Sequence, residues 1–439
     1  MSTLGRLLED RATQSPERAA LRFDGETISY AELCERAAAA ARVVRSHGAG
    51  AVAFVLPNRP SSVAAFHGAL RAGATVVPLN PLLSRTEIEQ RVADSGATLL
   101  DPDDLVGEPD FAIAPHAPDD VAVVLYTSGT TGSPKRIELT HGGLRLNAEH
   151  IASSALGLHE DDVLFGAAPL AHVFALSGCM NGAIAAGACL ALVPRFEPHS
   201  ALAAIERDGV TVFMGVPAMC AALLAEPGAS PRLRLAHIGG APLPPETLHA
   251  FEERFGAVVR EGYGMTEAGG AIAVQAADDR VPGSVGRAVP GAELRLAEDG
   301  ELLVRGPTLM RGADDWFATG DIARIDERGN VFILDRKKDV ILRGGYTVYP
   351  REVEDALASH PAVRECAVVG VPHPVVGEEV VALVVAHGCS PEELKAYARE
   401  RVAAYKYPRL VVLVDELPHG PTGKVQRREI DRNALSDLL

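Results

Sequence analysis

The sequence predicts an α/β protein: a large amino-terminal domain of α/β subdomains, a small β-barrel-like subdomain behind it, and a small α+β carboxy-terminal domain. Three observations carry this. Short apolar runs alternate with Ala-rich helical stretches through about residue 275, the texture turns to short strands punctuated by Gly and Asp after Pro282, and the charge balance changes near Arg336.

The run AVAFVL (51–56) reads as a buried strand; a Pro/Asn turn, an Ala-rich helix over 61–72 and a second strand, ATVVPL (74–79), follow it in the rhythm of a parallel sheet. Val121 to Tyr126, Ala188 to Val193, Val210 to Met214 and Leu235 to Ile238 continue that rhythm. Beyond Pro282, ELRLAEDG, ELLVRG and RIDERGNVFILD predict a small antiparallel or barrel-like subdomain. Residues 336–439 hold 15 Lys/Arg and 15 Asp/Glu, so the chain's formal charge of -16 lies wholly in the first 335 residues. Domains of 1–335 and 336–439 are therefore expected.

Composition excludes several functions. At 439 residues and 47% hydrophobic the chain has ample core for several domains, which rules out a disordered protein. A charge of -16 has the wrong sign for gripping nucleic-acid phosphates. The six cysteines form no C-x-x-C pair and read as reduced core thiols. Arg6, Glu9, Asp10 and Arg11 interrupt the first apolar stretch, unlike a secretory signal, and Ala183 to Val193 is shorter than the roughly 20 residues a membrane span requires. A cytoplasmic protein with no membrane span is expected.

The chemistry-bearing segment is VAVVLYTSGTTGSPKRIELTHGG. An apolar strand runs into Thr127, Ser128, Gly129, Thr130, Thr131, Gly132 and Ser133, and Lys135 closes the run. Small residues let backbone N–H groups approach an anion, the hydroxyls add donors, and the lysine adds charge, which together describe a phosphate-gripping loop. The Walker A spacing is absent. The loop is expected to lead into a helix capped by Thr140.

With five further segments, this loop resembles the adenylate-forming enzymes, the family of acyl-CoA synthetases, peptide-synthetase adenylation domains and beetle luciferases. The segments are HIGGAPLP (237–244), EGYGMTE (261–267), WFATGD (316–321), DRKKDVILRGGYTVYPREVE (335–354) and PTGKVQRRE (421–429), in the family's order over nearly the whole chain. Each also has a reading of its own. Tyr263 offers a face on which a planar base can stack. Thr266 is a neutral donor for phosphate, and Glu267 is a hard oxygen ligand suited to a magnesium ion shared with substrate phosphate. Asp321 can accept from both ribose hydroxyls. Gly239, Gly240 and Ala241 leave room for a flat ligand at a strand end.

The resemblance implies further roles. Gly240, Ala241, Glu261, Tyr263 and Asp321 would bind the nucleotide, with Arg336 reaching ribose or phosphate. Lys338 would be the hinge on which a mobile carboxy-terminal domain turns. Gly344 and Gly345 would line the coenzyme A tunnel, and Lys424 would hold the acid's carboxylate and the α-phosphate during adenylation. Read alone, Lys424 is a surface lysine, and Lys337 reads as a solvated one.

The implied reaction is thioester formation in two steps: a carboxylic acid attacks the α-phosphate of ATP, releasing pyrophosphate, and a thiol then displaces AMP. An acyl-CoA or aryl-CoA ligase using ATP, Mg2+ and coenzyme A is the primary expectation; a stand-alone adenylating enzyme that loads a carrier-protein phosphopantetheine is the alternative. His172, which matches the family's gate beside the carboxylate, would line an acid pocket with Val173, Met214, Gly239, Gly262, Gly264, Met265 and Ala268. Residues 170–178 hold no acidic side chain to pair an amino acid's ammonium, and Gly262 stands where malonate-activating relatives carry Arg. A medium-chain fatty or aromatic monocarboxylate is expected. The chain departs from the family in a short segment before Trp316, in Arg136 where Gly is usual, and in Thr347 where acetyl-activating members carry Arg.

Overall fold

In a computed structural model, residues 3–127, 134–228, 230–276, 280–419 and 425–439 are described. The chain divides into two compact units, one of Met1–Leu294, Val304–Phe317 and Gly329–Val331, the other of Arg295–Leu303, Ala318–Arg328 and Phe332–Leu439. By compactness, the strand-rich stretch after Pro282 is thus divided between the two units.

The first unit holds two open sheets. The predicted strands form as Ala51–Val55 and Thr75–Leu79, parallel to one another and flanked by Thr98–Leu100 on one side and Val121–Thr127 on the other. Between the first two lies the helix Pro60–Ala72, which starts with Pro at its first turn and ends at Gly73 in the left-handed region, as such helices prefer. A nine-stranded sheet carries the rest; along it Val258–Met265, Leu235–Gly239, Val212–Gly215, Val163–Gly166 and Cys189–Leu192 run parallel as neighbours. Their near-continuous apolar runs match strands covered on both faces: Ala236, Ile238 and Phe213 pack into one cluster, while Met214 and Leu235 belong to the main core on the other side.

One local expectation is corrected. Lys135–Thr140 is a strand, antiparallel to Val121–Thr127 with Thr127 opposite Lys135, so a strand precedes the helix that Thr140 caps. The alternation of Ile137 and Leu139, both buried, against exposed Lys135 and Arg136 is the period-two signal that the sequence reading passed over. The helix comes next, His141–His150, and Thr140 does cap it, accepting from the Gly143 N–H.

Glu301–Arg305, Phe317–Ile325 and Val331–Arg336 lie in sequence along a four-stranded sheet. A five-stranded sheet follows, built on the long antiparallel pair Val363–His373 and Gly377–Ala386 and covered by Pro350–Ala358 and Pro391–Arg399. Among the described residues no helix is long and apolar enough to cross a membrane, and all six cysteines are free.

Candidate active site

The hairpin delivers Lys135 to the turn that follows Val258–Met265. That strand ends in a single 3-10 turn, Thr266–Ala268, and Gly269 and Gly270 reverse the chain with φ of +66° and +140°. Lys135 Nζ comes within 3.5 Å of Glu267 Oε1 and sits 5.3 Å from the centre of the Phe317 ring. The turn is strapped in place: Met310 N–H donates to the Glu267 carbonyl at 2.7 Å, and Arg311 N–H to the Glu138 carbonyl at 2.8 Å. Two sequence motifs, the loop lysine and the Thr266–Glu267 pair, therefore meet. Ser128, Gly129, Thr130 and Thr131 lie outside the described residues; Thr127 is half-buried at the end of its strand.

Arg136 faces away from Lys135. Its guanidinium donates to Glu138 Oε1 at 3.1 Å and to the Asp94 carbonyl at 3.1 Å, while Tyr126, opposite it in the hairpin, donates to Asp94 Oδ2 at 2.6 Å. The residue that departs from the family is committed to the helix end at Asp94.

Within Val258–Met265, Glu261 is buried and its N–H donates to Gln275 Oε1 at 3.1 Å. Tyr263 and Met265 pack against buried Ala268, Ile272 and Val304. Gly264 is sterically fixed, because a Cβ there would lie 2.3 Å from the Gly270 carbonyl oxygen. Gly240 and Ala241 are exposed just past the end of Leu235–Gly239, with Gly240 at φ +81°.

The residues expected to line the acid pocket separate into two groups. Met214, Gly239 and Gly262 share one face of the nine-stranded sheet, since Met214 pairs with His237 and Gly239 pairs with Gly262 in adjacent parallel strands. Over that face runs Phe174–Asn181, a π-helical segment of the kind often found at functional sites, preceded by half-buried His172 and buried Val173. Gly178 of this segment meets Met214, and Phe174 approaches Gly239. Met265 and Ala268 instead join the Tyr263 cluster, with Ala268 wholly buried.

His237 is the side chain that sequence reasoning passed over, although it opens the HIGGAPLP motif. It is buried, lies parallel to Phe174 with ring centres 5.9 Å apart, and puts its Cε1 only 2.4 Å from where a Cβ on Gly262 would stand. Burial holds its pKa down to about 4, so the ring is neutral. The volume a residue-262 side chain would take is filled by this imidazole. The motif's glycines drew attention to a strand end, and period-two counting from Gly239 back to His237 is the signal that would have found it.

In the second unit, Asp321 is buried and Arg336 Nε lies 2.8 Å from its Oδ1. Lys337 is exposed, as the sequence reading expects, and is also bridged to Asp299 at 2.6 Å and Glu301 at 2.7 Å. Lys338 is exposed on the short turn Lys337–Asp339. Gly344 and Gly345 are the two residues of a tight hairpin between Ile341–Arg343 and Tyr346–Val348, with φ of +57° and +83°, a turn that requires both to be permissive whatever else they do. Lys424 lies outside the described residues; next to it, Val425 pairs with His419.

Comparison with known proteins fits this geometry. Residues 8–101 and 101–312 match the AMP-binding enzyme family, and residues 352–424 match the AMP-binding enzyme C-terminal domain. The chain belongs to the AMP-binding enzyme family. It is 36% identical to a feruloyl-CoA synthase of an Amycolatopsis species, over 96% of this chain and 97% of that protein. It is also 36% identical to a 2-succinylbenzoate–CoA ligase of Geobacillus kaustophilus, over 98% of both. Among solved structures it resembles the o-succinylbenzoate CoA synthetase of Bacillus subtilis in complex with its acyl-adenylate intermediate, with a TM-score of 0.89, 31% identity and 98% of both chains covered. The same synthetase has been solved with ATP and a magnesium ion. Among the described residues of this AMP-binding enzyme no cluster of three or more His, Cys, Asp or Glu could hold a metal ion.

Proposed function

We propose that this AMP-binding enzyme converts an aromatic monocarboxylate to its coenzyme A thioester, with a medium-chain fatty acid as the second candidate. It is an AMP-forming acid–thiol ligase that uses ATP, Mg2+ and coenzyme A, and an acyl adenylate is its intermediate. The observation that carries the reading is the meeting of Lys135 and Glu267, a cation and a hard carboxylate oxygen 3.5 Å apart at the end of a parallel sheet, where α/β proteins bind their ligands. The names of the relatives are those of coenzyme A ligases, which favours free coenzyme A over a carrier protein.

The assigned roles follow from charge and reach. Lys135 and Thr266 would hold the β- and γ-phosphates, and Glu267 would supply an oxygen to the magnesium ion, which when bound offsets phosphate charge as pyrophosphate leaves. Tyr263 would stack on adenine, with Glu261, Gly240 and Ala241 along the same ligand, and Asp321 with Arg336 would take the ribose. His172 would stand beside the carboxylate. The division of labour between residues 1–335 and 336–439, with Lys338 as pivot, Lys424 serving adenylation, and Gly344 and Gly345 passing the pantetheine arm, rests on the resemblance. Six free cysteines, four of them buried, support a cytoplasmic location.

The deciding experiment is acid-dependent ATP/pyrophosphate exchange over aryl, fatty, dicarboxylic and amino acids, followed by mass detection of the thioester. Exchange and a coenzyme A thioester with aryl acids support the reading. Thioester formation only on a carrier protein, or no exchange with any acid, overturns it.

A further inference from the structure

The turn that carries Thr266 and Glu267 has little side chain with which to pack. Ala268, Gly269, Gly270 and Ala271 follow, so this stretch offers dispersion only the methyl groups of its alanines, and the two glycines stand at φ of +66° and +140°. Such a segment keeps many backbone conformations open unless directional bonds remove them. Its pairing with Val258–Met265 shifts register between Tyr263 and Gly264, and two hydrogen bonds from outside that strand pair bracket the turn. Met310 N–H donates to the Glu267 carbonyl at 2.7 Å before the glycines, and Asn147 Nδ2 donates to the Ala271 carbonyl at 2.9 Å after them.

Asn147 belongs to the helix His141–His150, which continues from the strand that begins with Lys135 and ends in Thr140. Lys135 and Glu267 are therefore joined by two routes: their own contact at 3.5 Å, and the chain from Lys135 through this helix to Asn147 and Ala271. The amide is held in one orientation. Ser177 Oγ, in the segment Phe174–Asn181, donates to Asn147 Oδ1 at 3.0 Å, which leaves Nδ2 for Ala271. Both side chains are buried, Asn147 at 1% exposure and Ser177 at 0%. Gly270 is fitted to the pair: a Cβ there would lie 2.5 Å from Asn147 Oδ1 and 3.3 Å from Ser177 Oγ. Polar groups in such a place cost stability unless paired, and once paired they fix direction as apolar contacts cannot.

We propose that Asn147 is a positioning residue: its bond to the Ala271 carbonyl sets the place of the Thr266–Glu267 turn relative to Lys135, and thereby the affinity of the site for ATP. This rests on the assignment above of Lys135, Thr266 and Glu267 to the nucleotide's phosphates and magnesium, and it names the side chain that keeps them in register. The second glycine of the turn then has its own reason, since any side chain at Gly270 would displace the amide that fastens the turn.

The test is calorimetric titration with ATP at saturating magnesium and with no acid present, so that no adenylate forms and the identity of the acid does not enter. Above neutral pH, Asn147→Asp keeps the size of the side chain and the acceptor for Ser177 but has no N–H for the Ala271 carbonyl; Asn147→Leu, close in size and uncharged, lacks it too. Each should weaken ATP binding about tenfold, the worth of one buried hydrogen bond, with the number of sites per folded chain unchanged. Ser177→Ala leaves the bond to Ala271 in place and should weaken binding by no more than about threefold. Affinity belongs to the molecules that are folded, so a variant that folds in lower yield shows fewer sites at the wild-type affinity. That result in both Asn147 variants makes Asn147 a support of the fold alone and overturns the proposal, as does an equal weakening by Ser177→Ala. Wild-type enzyme that binds no ATP overturns instead the assignment on which the proposal rests.

Discussion

Lys135 Nζ stands 3.5 Å from Glu267 Oε1, and the pair is partly open to solvent, the lysine at 45% and the glutamate at 16% exposure. Such a pair contributes about 0–1 kcal/mol to folding. In the proposed reaction phosphate would replace the glutamate at Lys135, and magnesium would replace the lysine at Glu267. Lys135→Ala is expected to leave Tm within a few degrees of wild type and to raise the KM for ATP about tenfold, the loss of one charge-assisted contact. Glu267→Gln should fold as well and lose about 100-fold or more of exchange activity, with the loss greatest at low magnesium. Thermal melts together with ATP/pyrophosphate exchange across a magnesium titration measure both. A Glu267→Gln enzyme with wild-type magnesium dependence would remove Glu267 from the metal site.

Gly264 makes the opposite prediction, with structure lost before chemistry. A Cβ at this position would lie 2.3 Å from the Gly270 oxygen and 2.8 Å from the Ala271 Cα, both backbone atoms held by the pairing of Gly264 with Ala271. Neither can swing aside as a side chain would. Gly264→Ala is expected to cost about 1–3 kcal/mol and to displace the Thr266–Glu267 turn with it. Urea unfolding gives the first number and exchange activity the second. A Gly264→Ala enzyme of wild-type stability would show that the turn moves freely.

How far the sequence is legible differs between these residues. The parallel strands and the helix over 61–72 were readable because burial on both faces leaves unbroken apolar runs, and the site motifs because phosphate and magnesium demand particular residue types. The strand Lys135–Thr140 was not, since four charged or polar side chains in KRIELT mask its two buried positions. The ion pairs of Lys337 and the reach of Arg136 to Asp94 depend on residues distant in sequence, Asp299, Glu301 and Asp94, that no local pattern connects. His237 lay within a recognised motif, yet its burial against Phe174 and Gly262 follows from a register that only the paired strands display.

Three buried histidines set the response to acid. Burial lowers the pKa of His67 to about 3 and those of His141 and His237 to about 4, and His141 also suffers the nearby His116, with which it stacks at 4.1 Å. In the unfolded chain each would titrate near the ordinary histidine value of 6.5. Above that value both states are neutral and the full stability is present. As the pH falls from 6.5 toward 4, the unfolded chain takes up protons that the folded chain refuses, so stability is lost, by up to about 1.4 kcal/mol per pH unit for each histidine. The urea midpoint should therefore drop steeply between pH 6.5 and 4.5 and be flatter above 7. His67→Phe should reduce the slope below 6.5, even if it lowers stability overall; an unchanged slope would place the acid sensitivity elsewhere.

Lys424 allows the two half-reactions to be separated. Its assigned role belongs to adenylation alone, where a cation between the carboxylate and the α-phosphate offsets charge as the new bond forms; once the adenylate exists, thiol attack at the carbonyl carbon does not need it. Lys424→Ala should therefore lower acid-dependent exchange by a factor of about 100 or more while a supplied acyl adenylate is still converted to its thioester at close to the wild-type rate. Lys338→Pro makes the converse case. The exposed turn Lys337–Asp339 would lose backbone freedom at its centre, and if that turn is the pivot, thioester formation should fall further than adenylation. Measured side by side, the two variants should show opposite ratios of the half-reaction rates. Equal losses of both steps in Lys424→Ala would refute a role confined to adenylation, and normal turnover with coenzyme A in Lys338→Pro would move the pivot away from this turn.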